Sequence, residues 1–431
     1  MKAVLTNFGT RGDIQPFLAL AVELRRHGHQ PLLAMPPAAA GDASRLGLDF
    51  VPVGPDLRSA QETINHSMVA APSVTGSTAQ LLGLFGPLAE ALPRMFEDLQ
   101  AACRGAHVLI SGRMQPAARM VHDLTQVPFV SVHVEHSGGT AGGSGGSPAF
   151  QEAVRATINP LRTRLGLPPF SNPLVEGNSP QLVLFANSRH VRQVPADWPP
   201  HHHLTGYFFL EEESWTPPAD LAAFLDAGEP PVFFTLGSTP TLQPETLVAL
   251  LLDSCERAGR RALIQQGAAH LGSLRLPPTA WLLQGTIPYG WLFPRVACAV
   301  HHGGAGTTAY AFQAGVPQIT LPHMYDQFIW ADIAHQLGCA APALSHHQLT
   351  AERLYQAMAL VLGTPQVRLM SATLGEKIRA EQGVVRARQL IESLVERVGL
   401  APESTSPSEA VDAAPRRKAL LQRRRTLHED E

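Results

Sequence analysis

A chain of 431 residues is longer than one hydrophobic core organises, so it should divide into at least two domains of ordinary size. With 45% apolar residues, 16% charged residues and a net charge of -3, it can bury sizeable cores. The same balance gives no bulk attraction for nucleic acid or an anionic membrane, which points to a small-molecule partner. Cys103, Cys255, Cys298 and Cys339 stand singly with no CxxC pairing, which excludes a disulfide framework and a cysteine zinc site and fits reduced thiols in the cytoplasm. No apolar run approaches the roughly 20 residues of a spanning helix. No signal-peptide pattern opens the chain.

In chain order, β-type apolar runs alternate with helical patterns, the mark of parallel sheets covered on both faces. Strands are expected near 2–8, 31–35, 48–53, 107–111, 128–134 and 181–187, with helices over 16–27 and roughly 79–103. The turn FGTRGD after the first strand sits where a dinucleotide-binding loop would place its glycines, yet it lacks GxGxxG and carries Asp13 at its far end. That pattern argues against a nicotinamide-dependent oxidoreductase. A glycine run over 137–148 reads as a mobile loop.

Residues 193–231 turn proline-rich and acidic, marking the passage between domains. Beyond it, PVFFTLGS, RALIQQG, AWLLQG, CAVHHGG and PQITLP restart the strand-to-turn alternation, and helices near 349–362 and 384–397 close it. The reading is therefore a first domain over 1–195, a linker over 196–230, a second domain over 231–400 and a disordered tail over 401–431. The basic cluster in that tail leaves peripheral membrane contact open, although a solvated tail is the commoner outcome.

The strongest chemical signal is CAVHHGGAGTTAYAFQAGVPQITLPHMYDQFIWA, residues 298–331. A strand ends at His301 and His302, glycines 303, 304 and 306 clear side chains from the approach, and Thr307 and Thr308 open a helix. Exposed backbone N–H groups and the positive end of a helix dipole make this a phosphate site. One helix later, Asp326 and Gln327 end a second strand-to-turn unit at the same sheet edge, where a carboxylate and an amide suit adjacent hydroxyls of a sugar.

These motifs, with GTRGDIQP, FLDAGEPPVFFTLGS and IPYGWLFPR, resemble the UDP-glycosyltransferase family, most closely its bacterial antibiotic (macrolide) and sterol members, over most of the chain. The resemblance implies an α/β GT-B fold: two Rossmann-like, doubly wound parallel-sheet domains facing across a cleft. It implies that the second domain holds a UDP- or dTDP-linked sugar and the first an acceptor, and the apolar, proline-broken segment 68–95, a candidate pocket wall, points to a lipophilic small molecule as that acceptor. By the same resemblance His302, Gly303, Gly304, Gly306, Thr307 and Ser238 hold the diphosphate, Ile287 reads the nucleobase through its backbone, and Asp326 and Gln327 hold the sugar. Tyr310 stands where plant members place a ribose-binding glutamate, which leaves the choice between uridine and thymidine open.

Asp13 falls where bacterial members place their proposed general base, a role worth about 10²–10⁴ in rate. The implied reaction is an inverting hexose transfer to a hydroxyl, with no DxD motif and so no metal expected. Asp13 could instead simply cap the following helix. His133, Glu135 and His136, ending the strand FVSVHVEHS, are candidates for acceptor contact or an alternative base, against a reading as polar strand-end residues. His301 reads as structural, and the triplet His201–His203 as solvated rather than metal-binding. A nucleotide-sugar epimerase of the same fold and a catalytically silent nucleotide-sugar-binding partner subunit are the competing functions.

Overall fold

A computed structural model describes residues 1–55, 74–113, 115–134, 148–212, 215–235, 244–265, 275–323, 325–345 and 349–399. Two parallel sheets organise them. The first runs β3(Asp49–Pro52)-β2(Gln30–Met35)-β1(Lys2–Thr6)-β4(Val108–Gly112)-β5(Phe129–His133)-β6(Leu182–Phe185)-β7(His202–Leu204). The second runs β10(Ala280–Leu283)-β9(Ala262–Gln265)-β8(Val232–Thr235)-β11(Cys298–His301)-β12(Gln318–Thr320). Every pair is parallel, so each link crosses over the sheet and helices cover both faces.

The first half carries helices α1(Arg11–Arg26), α2(Ala40–Arg45), α3(Val74–Ala102), α4(Ala117–Thr125), α5(Pro148–Arg164) and α6(Pro173–Glu176). The second carries α7(Ala219–Asp226), α8(Pro244–Arg257), α9(Tyr289–Leu292), α10(Ala305–Ala314), α11(Tyr325–Gln336), α12(Ala351–Gly363), α13(Pro365–Arg379) and α14(Gly383–Gly399). The expected α/β architecture of two doubly wound domains is present.

Strand alternation assigns the cores. In β1, Ala3 and Leu5 pack with α1 on one face while Val4 packs with α3 and α4 on the other. In β8, Val232 and Phe234 share a core with α8 and α12, while Phe233 faces the cluster that holds Ile287, Tyr289 and Tyr310. All four cysteines are buried and free of disulfides.

Three features depart from the linear reading of the chain. The helix expected from 16 begins at Arg11, five residues earlier, because Thr10 and Asp13 form a capping box ahead of Pro16. His202–Leu204 is the edge strand of the first sheet, so that sheet reaches into the stretch read as linker, and the triplet is half-buried rather than solvated. Helix α14 follows the second domain in sequence but packs on the first: Ala387, Ile391 and Leu394 join the core of Phe17 and Leu20. Its polar edge is tied there as well, by Arg388 to Glu23 at 3.0 Å and His29 to Glu392 at 2.7 Å.

The glycine run 137–147 and the tail 400–431 lie outside the described residues. Among the described residues, no helix is long and apolar enough to cross a membrane.

Candidate functional site

The β1–α1 turn leaves the carboxyl edge of the first sheet through buried Asn7 and Phe8 and turns at Gly9, with φ +138°. A Cβ on Gly9 would come within 2.3 Å of the Asp13 carboxylate, so glycine is needed there twice, for its φ and for its bareness. Thr10 is the N-cap of α1 and Asp13 its third residue. The Asp13 Oδ2 accepts from the Thr10 backbone N–H at 2.7 Å and from the Thr10 hydroxyl at 3.0 Å. Asn7 holds the turn from beneath by donating to the Asp13 carbonyl at 2.8 Å. The capping role weighed for Asp13 is therefore present in the geometry, and it fixes a half-buried carboxylate at the edge of the sheet.

The β11–α10 turn is the matching feature of the second sheet. His301 is fully buried; its Nδ1 accepts from the Gly303 N–H at 3.0 Å, which leaves the ring proton on Nε2 to donate to Gln318 Oε1 at 2.9 Å. Burial pulls its pKa down to about 4. Its place is structural, under the turn.

His302, 8% exposed, is pushed down further, to about 3, first by burial and then by His301 and His323 beside it. It is a neutral imidazole at physiological pH, and its Nδ1 has no hydrogen-bond partner. A Cβ on Gly304 would stand 2.3 Å from its Nε2, so the bare glycine is what lets the ring lie over the turn. Gly303, at φ +85°, would meet the Gln327 carbonyl at 2.8 Å if it carried a Cβ, whereas a Cβ on Gly306 would meet open space. Helix α10 then starts from Gly304 with no side-chain cap, and the buried Thr308 hydroxyl has no partner. Unsatisfied donors at such an end suit an anion.

Gln327 and Asp326 lie in the first turn of α11, directly against this turn through the Gly303 contact. Gln327 is 4% exposed and its Oε1 accepts from the His323 N–H at 2.8 Å, while Asp326 is half-buried. Thr307 is 9% exposed on α10. Ile287 is buried in the apolar cluster with Tyr289 and Tyr310. Ser238, Glu135 and His136 lie outside the described residues. His133 is not presented to the cleft: it is fully buried, stacked on Phe185 at 4.9 Å and bonded through Nε2 to Asn178 Oδ1 at 2.9 Å.

Sequence reasoning missed a second layer. The Tyr289 hydroxyl donates to Gln265 Oε1 at 2.6 Å, and the Thr235 hydroxyl reaches the same oxygen at 3.1 Å, tying the ends of β8 and β9 to α9. The Tyr310 hydroxyl accepts from the Leu210 N–H at 3.1 Å and from Gln15 Nε2 on α1 at 3.1 Å. Tyr310, noted only as a departure from a family pattern, thus bridges α10 to Leu210 and to α1 of the first domain. The one available hint was its place one turn beyond Thr307 on α10.

Residues 3–87 match the glycosyltransferase family 28 N-terminal domain, and residues 249–389 match the erythromycin biosynthesis protein CIII-like C-terminal domain. The chain is 31% identical over 427 residues to an O-mycaminosyltylonolide 6-deoxyallosyltransferase of Streptomyces fradiae, covering 92% of this chain and 98% of that protein. It is 28% identical to a sterol 3-beta-glucosyltransferase of Arabidopsis thaliana, covering 90% of this chain and 64% of that protein. Among solved structures, the glycotransferase of kitacinnamycin superposes with a TM-score of 0.72 at 20% identity, covering 91% of this chain and 99% of that one. A glycosyltransferase of Streptomyces sp. SF2575, solved in complex with thymidine diphosphate, superposes with a TM-score of 0.65 at 17% identity, with 91% and 99% covered.

Proposed function

Because the chain belongs to the GT-B glycosyltransferases, we propose that it moves a hexose from a UDP- or dTDP-linked donor to a hydroxyl of a lipophilic natural product, with inversion and without a metal. The observation that carries the donor half is the β11–α10 turn. There an uncapped helix end, three glycines and a buried neutral His302 with an unpartnered nitrogen come together within one strand-to-helix turn.

In this reading the acceptor oxygen attacks the anomeric carbon while the bond from that carbon to the diphosphate oxygen breaks. Asp13 takes the acceptor proton, its carboxylate held in register by the two Thr10 bonds. The electron pair leaves with the nucleoside diphosphate, whose growing charge meets the amides of Gly304 to Thr307 and the ring N–H of His302 in its Nδ1-protonated tautomer, the Gly303 N–H being already given to His301 Nδ1. As a neutral donor, His302 offers direction rather than charge. Asp326 and Gln327 hold the sugar hydroxyls in this reading, which is supported by their position in the first turn of α11 and by the approach of the Gln327 carbonyl to Gly303. One displacement with one base inverts the anomeric centre.

At the ribose position Tyr310 supplies no carboxylate, and its hydroxyl is already committed to Leu210 and Gln15. Thymidine is supported by the thymidine diphosphate complex of a structural neighbour and by a relative named for transfer of a 6-deoxy sugar. The lipophilic acceptor rests on the macrolide and sterol substrates in the relatives' names.

The test is calorimetric titration of the protein with UDP and dTDP, followed by donor hydrolysis and transfer assays with and without EDTA. Binding of one diphosphate that His302→Ala abolishes, with transfer indifferent to EDTA, is the expected result. No binding of either would overturn the reading.

A further inference from the structure

Arg11 is the first residue of α1 and has no part in the roles assigned so far. Its guanidinium is 41% exposed and makes one hydrogen bond among the described residues, Nη1 to Asp42 Oδ2 at 3.1 Å. The other oxygen of Asp42 is taken by Arg45 at 2.9 Å, and Arg45 is tied in addition to Glu212. Arg11 therefore holds half of one carboxylate and keeps the remaining donors of its fork available.

Its position follows from helix periodicity and one cross-domain bond. Gln15, four residues on and on the same face of α1, reaches the Tyr310 hydroxyl at 3.1 Å. Tyr310 lies three residues beyond Thr307 on the same face of α10. The bond thus ties the second turns of the two helices together. Tyr289, whose ring stands 5.9 Å from that of Tyr310, interacts through its hydroxyl with the Thr307 side chain, and the Arg11 charge is near enough to favour ionisation of both phenols, against the larger opposing effect of burial. A cation rooted in the first domain therefore lies within electrostatic reach of the two tyrosines that pack beside the second domain's β11–α10 turn.

We propose that Arg11 is a donor-diphosphate contact supplied across the cleft, closing on the phosphoryl oxygens of the leaving group from the side opposite the α10 amides. This rests on the reading of that turn as a nucleoside diphosphate site. The consequence is coupling: Arg11 and Asp13 sit two residues apart on one helix turn, so a diphosphate that engages Arg11 also sets the position of the base.

The experiment measures dissociation constants of UDP, UMP, dTDP and dTMP for the wild-type protein, Arg11→Ala and Arg11→Lys at two salt concentrations, alongside unliganded melting points. Arg11→Ala should weaken the preferred diphosphate roughly tenfold, the scale of one charge-assisted contact, and flatten its salt dependence, with the monophosphate changed far less. Arg11→Lys should recover part of the loss. Unchanged diphosphate affinity in Arg11→Ala, or equal losses for mono- and diphosphate, would overturn the proposal. Absence of any diphosphate binding by the wild-type protein would remove the donor site itself, a result distinct from a silent Arg11 variant.

Discussion

Acidification should unfasten the second domain through the histidines under its turn. His301 and His302 are held neutral when folded, with pKa values near 4 and 3, against about 6.5 in an unfolded chain. Because the folded values are depressed, their contribution is whole above about pH 6.5 and is lost as pH falls from there towards the folded values. At about pH 5.5 the unfolded rings are roughly nine-tenths protonated while the folded rings are not, so each costs about 1 kcal/mol of stability and the pair about 2–3 kcal/mol. Urea unfolding at about pH 8 and about pH 5.5 measures this, with His301→Asn as the comparison. Asparagine keeps an acceptor for the Gly303 N–H but cannot titrate, so the variant should lose about half of the acid destabilisation whatever its stability at pH 8. Equal acid losses in variant and wild type, or a wild type that gains stability on acidification, would refute the assignment of the linkage to these rings.

Three further outcomes follow from the same geometry. Asp13→Asn keeps an oxygen for the Thr10 donors, so melting should hold within about 0.5 kcal/mol while turnover falls about 10²–10⁴-fold; full turnover would remove Asp13 as base. Gly304→Ala places a methyl 2.3 Å from the His302 ring, and calorimetry should show diphosphate affinity falling at least about tenfold. Tyr310→Phe strands the buried Leu210 N–H, costing about 1–3 kcal/mol in urea unfolding; an unchanged midpoint would mean that the Tyr310 hydroxyl contributes nothing to stability.

What could be read from the sequence was what repeats locally. Continuous apolar runs such as KAVLT and PVFFT marked strands covered on both faces, and Val4 and Phe233 do pack into cores on the side opposite their neighbours. HHGGAGT placed a bare turn before a helix because glycine spacing is itself a local property. Pro16 misled the helix start, since proline favours a first turn, whereas the capping box five residues ahead was decisive. His133 looked like a polar strand end, and its burial depends on Phe185 and Asn178, about 50 residues away in the chain. Gln15 and Tyr310 are 295 residues apart, and no periodicity reports such a bond. The crossing of α14 onto the first sheet is likewise a tertiary fact, although its apolar stripe was visible.

The two helix starts share one electrostatic problem. Both end in amides and partial positive charge, and each gathers an anion: α1 holds the Asp13 carboxylate, and α10, in the proposed reaction, holds the diphosphate. Bringing these anions across one cleft would raise the cost of closing it, since two like charges a few ångströms apart repel by about 1 kcal/mol even in water and more as water leaves. A cation between them removes that cost, and Arg11 sits beside Asp13 on the one helix whose next turn is bonded to Tyr310. Donor binding would then relieve the repulsion that opposes closure, and the base would be aligned when a leaving group is present to receive the electron pair. Asp42, which holds Arg11 at 3.1 Å, would on this proposal keep that charge paired with a carboxylate of its own domain until a phosphate displaced it.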